Sequence, residues 1–217
     1  MGWIKRCVKE PFPGLSHLAG ALLSVAALVA LLVLADGRVW HVVGFAIYGA
    51  SLILLYVAST MAHSIHCSER AGENLNRLDF SAIFLLIAGT YTPLCLVPLR
   101  GPWGWTILTI EWVLAAVGIL AVVSGWVRRE WPRVIVYVAM SWVAIVAVIP
   151  LSRVLPMQAL AWMLAGGIIY TSGAVIYALD RPRLWPGRFG SHDLWHVFVL
   201  AGSACHFVMI LCFIAMP

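Results

Sequence analysis

Apolar residues along this chain come in long unbroken blocks, not in the alternation of a strand or the one-sided stripe of a surface helix. Seven blocks approach the roughly 20 residues that an α-helix needs to cross a bilayer core. They cover 15–35, 41–63, 79–98, 104–126, 133–150, 159–180 and 192–215. Polar and helix-breaking residues stand between them. Asp36-Gly37 ends the first, and the polar run Ser68 to Arg77 separates the second from the third. Pro98 and Gly101-Pro102 separate the third from the fourth, which ends at Arg128, Arg129 and Pro132. Pro150 to Pro156 closes the fifth, and Asp180 to Gly190 closes the sixth. Lipid gives the backbone no water to bond, so only helices and closed barrels span a membrane, and the dyad alternation of a barrel is missing here. The pattern predicts an all-α integral membrane protein, a seven-transmembrane-helix bundle. Residues 1–14 form a short cytoplasmic segment and 15–217 the transmembrane domain. The first block follows Lys5, Arg6 and Lys9 as in a signal peptide. It is longer than the roughly 7–15 apolar residues of one and lacks a small-x-small site after it, so it reads as a retained helix.

Composition agrees. The 217 residues are 63% hydrophobic and 11% charged, and 11 tryptophans suit the belts at membrane interfaces. The net charge of +5 is spread over short loops with no basic run or stripe, so nucleic acid is not an expected partner. Eleven of the Lys and Arg fall in the N-terminal tail and the second, fourth and sixth connections; Arg38, Arg100 and Arg153 alone fall on the other side. Positive charge marks the cytoplasmic side, which puts the N-terminus inside and the C-terminus outside. Cys7, Cys67, Cys95, Cys205 and Cys212 form no CxxC pair and imply no disulfide framework. The pattern carries no signal for an oligomeric state.

This topology brings distant polar residues to one depth near the cytoplasmic face. Ser59 and His63 lie at the end of the second helix, Asp79 in the first turn of the third, His192 and His196 at the start of the seventh, and His17 near the start of the first. Ser59/His63 and His192/His196 are spaced i,i+4, so each pair shares a helix face. His63, His192 and His196 can give three nitrogen ligands to zinc and leave the fourth position to water, the style of a catalytic site. Such an ion acidifies its water. Asp79 is placed to accept a proton or to orient a ligand, and Ser59 to bond the water or a substrate carbonyl. Each histidine alone reads as an ordinary interfacial residue at a helix end; their convergence with Ser59 and Asp79 is what favours the metal. His66 and Cys67 are rival ligands assigned to the loop, and His41 an interfacial residue at the outer surface.

A second polar layer is expected deeper in the bundle. At about 100° per residue, His206 falls within about 40° of His192, but about 15 Å beyond His196, too far to share an ion. Glu111 in the fourth helix and Tyr91 in the third come to nearly the same depth. An intramembrane carboxylate usually has a partner or a wet cavity. One reading has Glu111, His206 and Tyr91 lining a shared pocket in the outer half. The other has Glu111 near the interface and His206 bonded to a backbone carbonyl.

The segments "STMAHSIHC", "LNRLDFSAIFLLIAGTYTPLCL" and "SHDLWHVFVLAGSACHF" resemble the bacterial hemolysin III branch of the progestin and adipoQ receptor family, related to alkaline ceramidases. The ordered set SxxxH, Asp, HxxxH carries most of the resemblance, which covers nearly the whole chain. "GLSHLAG" resembles the family's first-helix histidine motif, which matches His17. The acidic and Asn residues that open that motif are not evident. The resemblance implies an intramembrane zinc held by His63, His192 and His196, with Asp79 and Ser59 around its water, in a multi-pass protein of the bacterial cytoplasmic membrane. It also implies a zinc-dependent hydrolase acting on a membrane-lipid amide or ester, ceramidase-like, with a role in membrane-lipid homeostasis. Two other readings compete. One is a non-enzymatic sensor or regulator stabilised by zinc. The other is the pore-forming cytolysin that the family name suggests, against which the nearly uniform apolar character of the helices argues.

Overall fold

Seven helices long and apolar enough to cross a membrane make up the computed structural model, which describes residues 8–126, 130–182, 184–185 and 189–216. Lys5, Arg6, Cys7, Arg128, Arg129 and Arg183, which entered the sequence reading, lie outside the described residues. The helices are α1 (Pro11–Ala35), α2 (Val39–Ser64), α3 (Glu69–Leu96) and α4 (Pro102–Val123). The fifth span, Trp131–Val154, is in three pieces: α5 (Glu130–Ser141), a 3-10 segment (Val143–Ala147) and α6 (Val148–Val154). Then come α7 (Met157–Leu179) and α8 (Ser191–Ile210), which closes in a π-helical turn over Leu211–Ala215.

Local chemistry sets the ends. A proline in the first turn starts α1 and α4, where its missing N–H has no partner to lose. Asp36 (φ 46°) and Gly37 (φ 69°) turn α1 into α2 through left-handed backbone. Arg38 then caps what the turn leaves open. Its guanidinium donates to the Ala35 carbonyl at 3.1 Å, to that of Leu34 at 2.9 Å, and across to Ala215 at 3.2 Å, tying this turn to the last turn of α8.

Two expectations need correction. The polar run Ser68 to Arg77 is not a loop: α3 begins at Glu69, so Asp79 lies about three turns into the helix and not in its first turn. Glu69, Arg70, Ala71 and Leu75 are good helix formers and Glu73 and Arg77 stand in the favourable i,i+4 order, enough to carry the helix through Gly72, Asn74 and Asn76, so polarity there marks the part of the helix outside the apolar layer and not a break. At about 1.5 Å per residue the helix is longer than the bilayer core is thick. The fifth helix, expected as one piece over 133–150, is broken in the middle and extends past Pro150.

The apolar side chains exposed on the outside, among them Leu22, Val33, Leu120 and Val146, face what would be lipid. Inside, α1, α2, α3 and α4 pack in order, α7 packs on α8, and α8 closes back against α1. Small residues permit the close approaches. A Cβ on Gly20 would sit 2.8 Å from the Tyr56 ring and 2.9 Å from Leu200, so this glycine lets α1, α2 and α8 meet one turn from His17. The fifth span packs more sparsely against α3, α4 and α7. Between it and the rest of the bundle lies a cavity of about 620 Å³.

Tyr91 of α3 repairs the break in the fifth span. Its hydroxyl accepts from the Ala144 N–H at 2.9 Å and donates toward the carbonyls of Ser141 at 2.9 Å and Met140 at 3.2 Å. One phenol thus replaces backbone bonds that the helix forfeits between Ser141 and Ala144. Tyr91→Phe removes the partner of the part-buried Ala144 N–H and of the buried Met140 carbonyl, together worth about 1–3 kcal/mol. Thermal unfolding in detergent should show a clearly lower Tm for this variant; an unchanged Tm would mean that the break satisfies itself.

Candidate metal centre

Four elements meet at the end of the bundle that carries the N-terminus. The last turn of α2 brings His63, α3 brings Asp79, the first two turns of α8 bring His192 and His196, and the start of α1 brings Glu10 and His17. Residues 9 and 10 are pinned to α2 before α1 begins: Glu10 N–H donates to the His63 carbonyl at 2.8 Å and Lys9 N–H to that of Ser64 at 3.3 Å. At the start of α8, Asp193 accepts from the Gly190 N–H at 2.8 Å, and Ser191 donates to Asp180 at 2.6 Å. These contacts set the depth at which His192 and His196 enter the bundle.

His63, His192 and His196 form a compact triad whose nearest ligand atoms lie within 4.8 Å of one another, close enough to hold a metal ion. The ring centroids are 4.7–4.9 Å apart, close to an equilateral triangle. His192 Nε2 and His196 Nε2 are 3.2 Å apart, and His63 Nε2 is 3.6 Å from Asp79 Oδ2. Ser59, one turn from His63, is buried and shares the cavity wall with Asp79 and the three histidines. His66 and Cys67 sit exposed in the loop between α2 and α3, outside the triad.

Sequence reasoning missed Glu10. His63 Nδ1 donates to Glu10 Oε2 at 2.6 Å, and His192 Nδ1 lies 3.9 Å from the same oxygen. The hydrogen bond from His63 holds the Glu10 carboxyl below the usual carboxylate range, against burial, which pushes it up. An acidic side chain just ahead of the first helix therefore makes a polar contact to the site. Its spacing of seven residues from His17, two helical turns along the same face, was the available signal. His17 is buried beneath the triad, its Nε2 3.0 Å from His196 Nδ1 and its ring edge-on to Tyr56.

The deeper layer is divided. Tyr91 and His206 lie on the wall of the cavity, Tyr91 in its backbone bonds and His206 stacked on Tyr170 at 5.6 Å between ring centres. Glu111 is not on that wall. It is fully buried in α4, and neither carboxylate oxygen has a hydrogen-bond partner among the described residues. α4 packs on α3, which puts Glu111 beside Tyr91 and Cys95 of that helix but off the cavity wall that Tyr91 and His206 share.

With this geometry in place, comparison with known proteins identifies the lineage. Residues 5–207 match the family described as Haemolysin-III related. The chain belongs to that family. It is 42% identical to Hemolysin-3 of Bacillus cereus over 95% of this chain and 93% of that protein. It is 40% identical to the Hemolysin-3 homolog of Bacillus subtilis (strain 168) over 91% and 90%. A more distant similarity, 28% over 67% of this chain and 36% of the relative, is to the Adiponectin receptor protein of Drosophila melanogaster; it supports the wider progestin and adipoQ receptor relationship. With its seven apolar helices, this haemolysin-III family member is a multi-pass bacterial membrane protein.

Elemental analysis of purified protein tests the triad. About one transition-metal ion per chain is expected, since neutral imidazoles at this spacing share one ion. His63→Ala, His192→Ala and His196→Ala should each lose most of it, and His66→Ala should keep it. Full metal content in His192→Ala would remove that residue from the ligand set.

Proposed function

We propose that this protein is a zinc-dependent hydrolase of a membrane-lipid amide or ester, working at the cytoplasmic end of its bundle and contributing to membrane-lipid homeostasis. The observation that carries the reading is the setting of the triad: three imidazoles with a carboxylate beside them, facing an apolar cavity that runs into the membrane. The donor set fits zinc. Tetrahedral ligands about 2.0–2.1 Å from the ion stand about 3.3 Å from each other, and the His192 and His196 Nε2 atoms are 3.2 Å apart. Three protein nitrogens leave one coordination position open, as catalytic sites do. The cavity's size lies within the roughly 300–1,000 Å³ of ligand pockets. Its wall beyond the site is largely apolar, with Leu94, Ile145, Leu151, Met157 and Met209 among its residues, which suits an acyl chain.

Zinc at such a site supplies Lewis acidity, polarising a carbonyl and acidifying a water. The chain's own residues do the rest. His63, His192 and His196 hold the ion. Asp79 takes the proton from the attacking water and returns it to the leaving amine or alcohol, since its carboxylate lies beside the triad and within reach of the open face. Ser59 donates its hydroxyl proton to the substrate oxygen or orients the water. The apolar wall holds the chain of the lipid, so that its carbonyl stays at the polar end. A metal-stabilised sensor is the second reading, favoured by the way the triad ties α2 to α8; it requires the same ion but no turnover.

Turnover separates the two. In vesicles containing lipid amides and esters, Asp79→Asn should retain metal and lose hydrolysis by about 10²-fold or more, the usual contribution of a general base. Lipid profiles of cells carrying His196→Ala should show the unhydrolysed lipid accumulating. Wild-type protein loaded with zinc and inactive on every lipid amide and ester offered would leave the sensor.

Orientation belongs to the same proposal and rests on the bias of Lys and Arg. Cys67 is exposed in the loop beside the site. In a chain whose other cysteines are replaced, a membrane-impermeant maleimide should label Cys67 only after the cells are opened. Labelling of intact cells would put the site on the outer face.

A further inference from the structure

A ring that binds a metal through one nitrogen must be held through the other, or it turns away from the ion. The triad's ring nitrogens divide cleanly into two sets. The Nε2 atoms face inward: those of His192 and His196 lie 3.2 Å apart, and that of His63 lies 3.6 Å from Asp79. The Nδ1 atoms face outward, and each is met by the N-terminal segment. His63 Nδ1 is 2.6 Å from Glu10 Oε2, His192 Nδ1 is 3.9 Å from the same oxygen, and His196 Nδ1 is 3.0 Å from His17 Nε2.

We propose that Glu10 and His17 are positioning residues of the metal centre, which lock His63 and His196 in the tautomer that presents Nε2 to one divalent cation. The proposal rests on the metal part of the function reading and goes beyond it in assigning these two residues. A carboxylate can only accept, so the Glu10 bond requires a proton on His63 Nδ1; in the neutral ring that a metal takes, Nε2 then keeps its lone pair. Under the proposal His196 in turn donates its Nδ1–H to whichever ring nitrogen of His17 is unprotonated, Nε2 at 3.0 Å or Nδ1 at 3.3 Å, and its own Nε2 stays free. Both partners are held in place by other contacts. Glu10 is anchored by its own N–H to the His63 carbonyl, so that side chain and main chain engage the same residue. His17 is 2% exposed, with Tyr56 packed edge-on against it at 4.9 Å. Because Glu10 also lies near His192, one carboxylate spans the gap between α2 and α8. Undocking of the start of α1 would release the rings of both helices. Glu10 and His17 would therefore complete the centre from outside the ligand triad.

Zinc affinity, measured by competition with a chromophoric chelator on purified full-length protein, tests this. Glu10→Ala and His17→Ala should each bind about 10–100-fold more weakly than wild type. Glu10→Gln keeps an acceptor oxygen and should recover most of the loss. A merely structural role would not produce that rescue, nor a changed visible spectrum of the cobalt-loaded Glu10→Ala protein at saturating metal. His66→Ala serves as the control with wild-type affinity. If Glu10→Ala does not fold, Glu10→Asp, whose shorter arm cannot reach His63, is judged by the same criterion. Glu10→Ala and His17→Ala binding zinc as tightly as wild type, or a Glu10→Gln no better than Glu10→Ala, would overturn the proposal while leaving the metal reading intact. A wild type that takes up no zinc would overturn both.

Discussion

A polar side chain packed between apolar helices needs a partner, and this constraint organises the end of the bundle that carries the site: the buried His17, His63 and His196 each find one, while Glu10 and His192 stay part-exposed. His63 finds Glu10 and Asp79, His196 finds His17 and His192, and Ser191 finds Asp180. These pairings join α1, α2 and α3 to one another, tie α1 to α8 at the other end of the chain, and hold α8 to the end of α7. Between apolar helices there is little hydrophobic drive to choose one neighbour over another, because lipid tails are as apolar as leucine. Polar contacts and close-fitting small residues such as Gly20 supply the choice instead. The pairings that could hold a metal are also among those that fix which helix lies beside which.

The same constraint acts in the middle of the membrane, with a different solution. The fifth span breaks between Ser141 and Ala144, and the phenol of Tyr91 takes up the groups that the break exposes. The break makes the fifth span a poor packing partner, and the space it leaves becomes the cavity. The Tyr91 bonds that satisfy the break are tertiary, and no local pattern encodes them.

This explains which parts were legible in the sequence. Apolar length and loop punctuation gave seven spans, with breaks where Asp36-Gly37 and Gly101-Pro102 put them. They failed at Ser68–Arg77, where polarity reports depth and not helix breaking, and at the fifth span, where the deciding partner is a tyrosine some fifty residues away. At the site, the i,i+4 spacing and the alternating direction of the helices were enough to put His63, His192, His196, Asp79 and Ser59 at one level. Glu10 escaped because it stands beside Lys9 in a tail read only for its charge. Glu111 was grouped with His206 and Tyr91 because hydropathy gives depth along the membrane normal and says nothing of position around the bundle.

The arrangement of charge around the triad bears on what kind of centre it is. A purely structural zinc site gains from a fourth protein ligand, which closes it to solvent and substrate. Here the nearest additional donor is Asp79, and it approaches His63 Nε2 at 3.6 Å from the side of the cavity. Glu10, which could have served as a fourth ligand, is engaged instead by Nδ1 of His63, on the far side of the ring from the inward-facing nitrogens. The two carboxylates are thus sorted by the faces of one imidazole: Glu10 behind it, where it can only orient, and Asp79 in front, where it can reach a water or a substrate. In the proposed hydrolase that division meets two needs, one carboxylate keeping the rings aimed and the other left free to carry a proton.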